Sequence, residues 1–269
     1  MILDYFTIQN YKPINLSIGS IRKPTLEDIS YLTFDKYNLY VFLLKITPYT
    51  YYTVWRKEDG GEETWNDMPE EKRNAVNVFT ILREDKELMT LYLEMLNWFF
   101  LEKVIFLDEY FILLKDKNCD IPDDEIKMDD IRGVISEQTF DEIIEIIQQI
   151  CYVYDKEEKE DEIPKFKNKL AEKMYEKMKK QKAMQKKKAD ENLTIPNIIS
   201  AVNGKHPSLD YTNIYQLTVF QLIDTFNRMI VDGMYEIDST RVSVWGDEKK
   251  NFDATLWYRN EYEKRDKSA

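Results

Sequence analysis

The sequence is poor in the residues that most catalytic and ligand-binding motifs require. Its 269 residues include one histidine, two cysteines and seven glycines. A single histidine excludes the multi-histidine sites of catalytic zinc. The scattered glycines form neither of the phosphate-binding motifs GxxxxGK[ST] and GxGxxG, and GxSxG is also missing. We therefore expect no enzyme, no cofactor and no metal site, and so few glycines disfavour a β-sandwich or barrel.

The histidine and the cysteines indicate structural positions. His206 lies in NGKHPS, which is typical of an exposed turn between helices. Cys119 and Cys151 form no CxxC pair, and Cys151 falls in an apolar helical run. We expect a buried Cys151 thiol in a reducing compartment. With no signal peptide and no bilayer-length apolar run evident, the expected location is the cytoplasm, without membrane contact.

What the chain does contain is charge and aromatic residues. Charged residues make up 33% and hydrophobic residues 43%, and the formal net charge is −12. An acidic field of this size disfavours binding to nucleic acid or to an anionic membrane. With 18 tyrosines, 13 phenylalanines and 5 tryptophans, we expect a sizeable core and aromatic residues left over for contacts with a partner.

A charged segment divides the chain. Residues 155–192 begin with DKEEKEDE and continue into a lysine-rich stretch. Residues 164–187 are predicted to form a helix, because apolar side chains recur every fourth position, at Phe166, Leu170, Met174 and Met178. We predict a mainly α protein in three parts: an α-rich N-terminal domain with one or two small β-hairpins over 1–154, a charged helix and linker over 155–192, and a smaller helical module over 193–269.

Within the N-terminal domain, we predict helices after the caps Thr25 and Ser136, and over 34–45, 69–82 and 85–100. A small hairpin is predicted to pair residues 5–8 with a strand around 14–18. In KVIFLDEYFILLKDKN, two apolar runs flank Asp108 and Glu109, which favours a second hairpin, with helix continuation as the alternative. Residues 56–68 and the acidic stretch 120–130 are predicted loops, and the latter is a solvated loop in preference to a cation site.

The C-terminal module is predicted to contain two helices. The first begins at Thr194 and Pro196 and ends before Gly204 as its C′ residue. The second covers 214–229. Residues 235–245 are predicted to be irregular, with a short strand over 241–245.

Three stretches resemble proteins of tailed phages and prophages of Gram-positive bacteria. Two of them lie in the C-terminal module: LTIPNIISAVNGKHPSLDYTNIYQLTVFQLIDTFNRM and VWGDEKKNFDATLWYRN. Near the N-terminus, IGSIRKPTLEDISYLTFDKYNLYVFLL is similar to the opening of tail-assembly-chaperone-like proteins. The resemblance implies a role in virion morphogenesis and transfers no site residue.

We therefore expect a non-enzymatic phage virion-assembly protein, namely a tail assembly chaperone or related morphogenesis factor. Its expected partners are phage structural proteins such as the tape-measure protein, and it can act as an oligomer. The candidate partner-binding residues, each with core packing as its alternative role, are Tyr211, Tyr215, Gln216, Phe220, Trp245 and Trp257.

Two other functions stay open. Residues 165–188 hold eleven lysines and two glutamates, which could follow a phosphate backbone and make the chain a nucleic-acid-associated phage protein. Against this, the segment lacks interleaved arginines and exposed aromatic residues on which bases could stack. An enzyme that uses carboxylates of the acidic loops is the third alternative.

Overall fold

The computed structural model describes residues 2–118, 122, 125–153, 193–247, 251–259 and 262. The described part is mainly α-helical, which confirms the predicted fold class. The chain forms two units, one of Met1–Val153 with Gln216–Phe220 and the other of Tyr154–Tyr215 with Gln221–Ala269. The predicted charged helix and linker over 155–192 lies outside the described residues, so the three-part division stays a prediction.

The first unit opens with a helix where a strand was predicted. Helix α1 is Tyr5–Gln9, and the Asp4 carboxylate caps it by accepting from Thr7 N at 2.9 Å. The predicted pairing of residues 5–8 in a hairpin is therefore wrong. The strand β1, Ile14–Asn15, pairs instead with β2, Ser20–Ile21. Strands of two residues are too short for an alternating pattern to reveal which partner they take.

Two helices then follow the predicted signals. Helix α2, Leu26–Leu32, starts from a capping box in which Thr25 and Asp28 bond each other's backbone N–H groups. Helix α3 is Phe34–Leu43. Residues 216–220 join this unit because Leu26 N donates to Leu217 O at 2.9 Å and Thr25 bridges to Thr218.

The predicted loop over 56–68 is wrong, because this segment is largely helical. Helix α4, Pro48–Thr50, continues into a π-helical turn, Tyr51–Trp55, and a 3-10 turn, Lys57–Asp59. Helix α5 is Gly61–Asp67. The Gly60–Gly61 pair allows this path: Gly60 has φ +76°, and a β-carbon on Gly61 would collide with the backbone of Tyr52 and Arg56.

Three helices continue this unit. They are α6, Glu70–Ala75, α7, Val78–Glu84, and α8, Lys86–Phe99. One helix was predicted over 69–82, but Asn77 divides it. Its side-chain oxygen accepts from Thr80 N at 2.7 Å and so caps α7.

The predicted hairpin at Asp108-Glu109 is confirmed. Strands β3, Lys103–Leu107, and β4, Tyr110–Leu114, pair antiparallel. Asp108 and Glu109 have φ values of 49° and 67°, as a two-residue type I′ turn requires.

A third antiparallel strand, β5, Ile131–Ile135, completes this sheet on the other side of β4 and was not predicted. It follows a 3-10 turn, Met128–Asp130, within the stretch predicted as an acidic loop. Residues 119–121 and 123–124, including Cys119, lie outside the described residues. Gly133 of β5 packs so closely on the backbone of Ile18 that a β-carbon would collide there.

Helix α9, Glu137–Ile150, starts at the predicted cap Ser136 and contributes to an aromatic core. The Phe140 ring lies 5.4 Å from the Phe79 ring, 6.1 Å from the Phe111 ring and 5.8 Å from the Tyr92 ring. These side chains are buried and come from α7, α8, α9 and β4. The first unit is thus held together by one core that joins its helices to its sheet.

The second unit contains α10, Ile195–Lys205, and most of α11, Val219–Trp245. Gly204 lies inside α10, so its predicted role as the C′ residue is wrong, and His206 is the C-cap. The predicted irregular stretch over 235–245 and its short strand are also wrong, because α11 continues to Trp245. Short 3-10 turns cover Ile214–Gln216 and Leu256–Tyr258.

Candidate protein-binding surface

The second half of α11 carries a row of exposed, large apolar side chains, which we call the α11 ridge. Single exposed apolar residues are common on proteins and need no explanation, but several along one side of a helix are informative. The ridge comprises Ile230, Met234, Ile237, Val244 and Trp245, which are 47%, 55%, 71%, 65% and 80% exposed.

Spacing places the ridge along one side of the helix. Ile230, Met234 and Ile237 are separated by four and three residues, and Val244 follows seven residues later. At about 100° per residue, all five ridge side chains fall within an arc of about 100°. This repeat is the spacing of a helix face that packs against another helix.

The opposite side of α11 is covered by the chain that follows it. The Tyr235 ring stacks 5.7 Å from the Phe252 ring. The Arg228 guanidinium donates to Trp257 O at 3.3 Å and to Arg259 O at 2.7 Å. Tyr235 and Arg228 are seven residues apart and lie about 140–160° around the helix from Ile230. The ridge is therefore the side of α11 that faces away from these contacts.

One charged residue interrupts the ridge. Arg241 lies between Ile237 and Val244 in the same row, and its guanidinium is 3.2 Å from the Asp238 carboxylate. The two side chains are 55% and 45% exposed, so water screens this ion pair heavily. Any partner that covers the ridge must remove water from Arg241 and provide for its charge.

The ridge ends at Trp245 because helix α11 ends there. Gly246 has φ +76° and donates its N–H to Val242 O at 2.9 Å, which ends the helix directly after Trp245. Within the last turns, Ser239 and Ser243 donate to backbone oxygens three and four residues earlier, at 3.0 and 2.8 Å. These serines satisfy their hydroxyls inside the helix, although serine is a poor helix former by propensity.

The predicted partner-binding residues lie in different environments. Tyr211, Tyr215, Trp245 and Trp257 are exposed in the second unit, and Gln216 is exposed in the first. Whether they bind a partner stays a prediction. Phe220 is 1% exposed and packs against the rings of Tyr5 and Tyr152, at 6.3 and 5.7 Å. It therefore has the core role that was its alternative.

Sequence reasoning missed four of the five ridge residues. It ended the helix at residue 229 and treated 235–245, which contains two serines, one threonine and two valines, as irregular. The signal that could have revealed them is the four–three–seven spacing from Ile230 to Val244, which continues a helical pattern through that composition.

Several residues that could be reactive or bind a metal have structural roles instead. Burial raises the pKa of the Cys151 thiol to about 12, which keeps it protonated and unreactive. His206 Nδ1 accepts from Ser208 N at 3.3 Å and from Leu209 N at 3.1 Å, and so closes the turn after α10. Among the described residues, no three His, Cys, Asp or Glu side chains are grouped as metal ligands would be.

The ridge lies in a segment that is similar to a known domain family. Residues 184–262 match the model of a family described as the YomV second domain. YomV belongs to a Bacillus prophage, and the match indicates a phage- or prophage-type protein. No curated protein matches the chain. No solved structure matches it either. In the part of the chain that the structure describes, no helix is long and apolar enough to cross a membrane.

Proposed function

We propose that the chain is a non-enzymatic virion-assembly protein of a phage or prophage that acts through protein–protein contacts. The observation that carries this proposal is the α11 ridge, a row of exposed apolar side chains inside the segment 184–262 that matches a phage-type domain. The protein works in the host cytoplasm or on the virion, and its partners are phage structural proteins.

The size of the ridge supports a binding role. From their exposed fractions, its five side chains present on the order of 600 Å² of surface, at the upper end of the largest apolar patch on a typical monomer. Burying such an area stabilises a complex by the hydrophobic effect, and it needs neither a cofactor nor a reactive group. Tryptophan and methionine, both present in the ridge, are enriched at protein interfaces.

The finer form of the proposal is a tail assembly chaperone. In this role the protein covers helical segments that have one apolar face, in a tail protein such as the tape-measure protein, until the tail assembles around them. A helix face with a four–three repeat suits a helical client, because the side chains of two helices interlock at that spacing.

The test uses the full chain with the tape-measure protein of the same phage, expressed together. We expect wild-type protein to keep the tape-measure protein soluble, and Ile237→Glu to lose this effect because it places a charge at the middle of the ridge. Ser243→Glu is the matched control, since it adds the same charge on the opposite side of α11.

The same variants are then introduced into the phage genome, and tails are counted by electron microscopy. Fewer complete tails with Ile237→Glu but not with Ser243→Glu supports the proposal. Normal tails in a phage with the whole gene deleted would refute an assembly role.

A further inference from the structure

We propose that the α11 ridge is where two copies of this chain associate, with their α11 helices antiparallel. The inference rests on the proposed function in that both assign the ridge to a protein interface. It adds that the molecule bound at this interface is a second copy of the chain.

The repeat along α11 is that of a coiled-coil seam. In heptad notation Ile230, Ile237 and Val244 are d positions, and Met234 and Arg241 are a positions. From Ile230 to Trp245 the ridge covers sixteen residues, or about 24 Å of helix. A partner must therefore present a straight apolar helix of similar length, and the ridge itself is such a helix.

The charges of Arg241 and Asp238 favour one kind of partner and one orientation of its helix. A wholly apolar partner would strip water from Arg241 and leave it with a single carboxylate, that of Asp238. A second copy running parallel would place two Arg241 side chains face to face, because equivalent a positions meet in a parallel pair.

An antiparallel second copy removes this conflict. In an antiparallel pair, a positions face d positions, so Arg241 of one copy can face Ile237 of the other, next to that copy's Asp238. By two-fold symmetry the reverse contact forms as well. Each Arg241 guanidinium then lies near Asp238 of its own copy and near Asp238 of the other copy. Two copies of the same chain are therefore complementary in charge.

The size of the seam sets the expected strength. On the order of 600 Å² per copy is below the about 800 Å² per partner of a standard stable interface. Each copy also carries a net charge of −12, which opposes association. We therefore expect a dissociation constant on the order of 10 µM and a reversible monomer–dimer equilibrium.

The first experiment is sedimentation equilibrium of the full chain at concentrations up to about 200 µM, well above that dissociation constant. We expect wild-type protein and Ser243→Glu to dimerise equally. Met234→Glu should weaken the dimer at least about tenfold, because in this register Met234 faces Val244 of the other copy and the new carboxylates would be buried without a partner. A wild-type chain that stays monomeric throughout this range overturns the inference.

The second experiment exchanges the charges. Asp238→Lys gives two facing basic ridges, and Arg241→Glu gives two facing acidic ridges, so each variant alone should dimerise at least about tenfold more weakly than wild type. A mixture of the two should form a heterodimer, since each lysine or arginine then faces a carboxylate. Dimerisation of either single variant as strongly as wild type refutes the antiparallel arrangement.

The two proposals fail in different ways. A monomeric wild-type chain whose ridge variants still lose tails would reject self-association and keep the assembly role. A wild-type dimer whose ridge variants form normal tails would reject the ridge's role in assembly and keep self-association.

Discussion

Two buried tyrosines offer a direct test of the first unit's structure, because the same substitution should have opposite effects. Tyr37 is 2% exposed, and within the described structure its hydroxyl faces the Cys151 thiol, a weak partner, and makes no hydrogen bond of normal geometry. Tyr92 is equally buried, but its hydroxyl donates to Leu43 O at 2.7 Å. Burial raises the pKa of both phenols, so both stay neutral at any ordinary pH.

The expected magnitudes follow from this difference. Tyr37→Phe removes a hydroxyl that lost its water on folding without gaining a hydrogen bond of normal geometry, which should stabilise the protein by about 1 kcal/mol. Its ring contact with Trp98, at 6.1 Å between centroids, is unchanged by the substitution. Tyr92→Phe removes one of two donors to the Leu43 carbonyl, which still accepts from Ile46 N at 3.1 Å, and should destabilise by about 0.5–1.5 kcal/mol, the net value of a typical hydrogen bond. The two variants should therefore differ by about 1.5–2.5 kcal/mol.

The assay is urea unfolding followed by tryptophan fluorescence, with differential scanning calorimetry as a second probe. Both tyrosines lie in the first unit, so the same transition reports both variants. The slope of the free energy with urea should not change, since neither substitution alters the surface exposed on unfolding. If Tyr37→Phe destabilises as much as Tyr92→Phe, the Tyr37 hydroxyl makes a normal hydrogen bond and the reasoning is wrong.

Three further predictions concern buried ionisable groups. The Asp85 carboxylate caps α8 by accepting from Leu88 N at 3.0 Å, and it also accepts from Arg56 at 2.7 Å. Asp85→Ala should destabilise by about 2–4 kcal/mol in urea unfolding. Burial opposes ionisation of Asp85, but these hydrogen bonds together hold its pKa in the folded protein below 3.8. The ionised carboxylate therefore stabilises the fold fully above pH 3.8, and this contribution should be lost as the pH falls through the folded-state pKa. Lys23 is buried among the carbonyls of Thr7 and Asn10, and burial lowers its pKa from 10.5 to about 8. The unfolded chain then binds more protons between those values, so unfolding free energy should rise from pH 8 to 10.5 and Lys23→Met should flatten the rise. Cys151 should resist a thiol reagent in the native state and react fully in denaturant, and reaction at a free-thiol rate would contradict its burial.

Several elements could be predicted because one local signal determines each. The Asp108-Glu109 hairpin needed only two apolar runs and a two-residue turn, and α9 needed Ser136 followed by a helical apolar pattern. Thr25, the predicted cap, likewise indicated where α2 begins. In each case the residues that form the element also form its cap or turn, so the pattern lies within a few positions.

Other elements depended on residues distant in the sequence. The helical segment around Gly60 and Gly61 exists because a glycine without a β-carbon can lie against the Tyr52 and Arg56 backbone. Arg56 is held in turn by Asp85, 29 residues away. Similarly, Gly133 lets β5 approach Ile18. A pair of glycines is by itself equally typical of a loop, and only the residues packed against it distinguish a loop from a helical segment.

The sequence alone determined the mainly α fold class, the excess of aromatic and apolar residues and the repeat from Ile230 to Val244, since these depend on composition and spacing. Only the tertiary structure decided which apolar residues are left uncovered. Phe220 and Trp245 are both large apolar residues on one helix, yet Phe220 is buried by Tyr5 and Tyr152 while Trp245 stays 80% exposed. The difference arises from which segments pack against each residue, and a single helix's sequence does not contain that information.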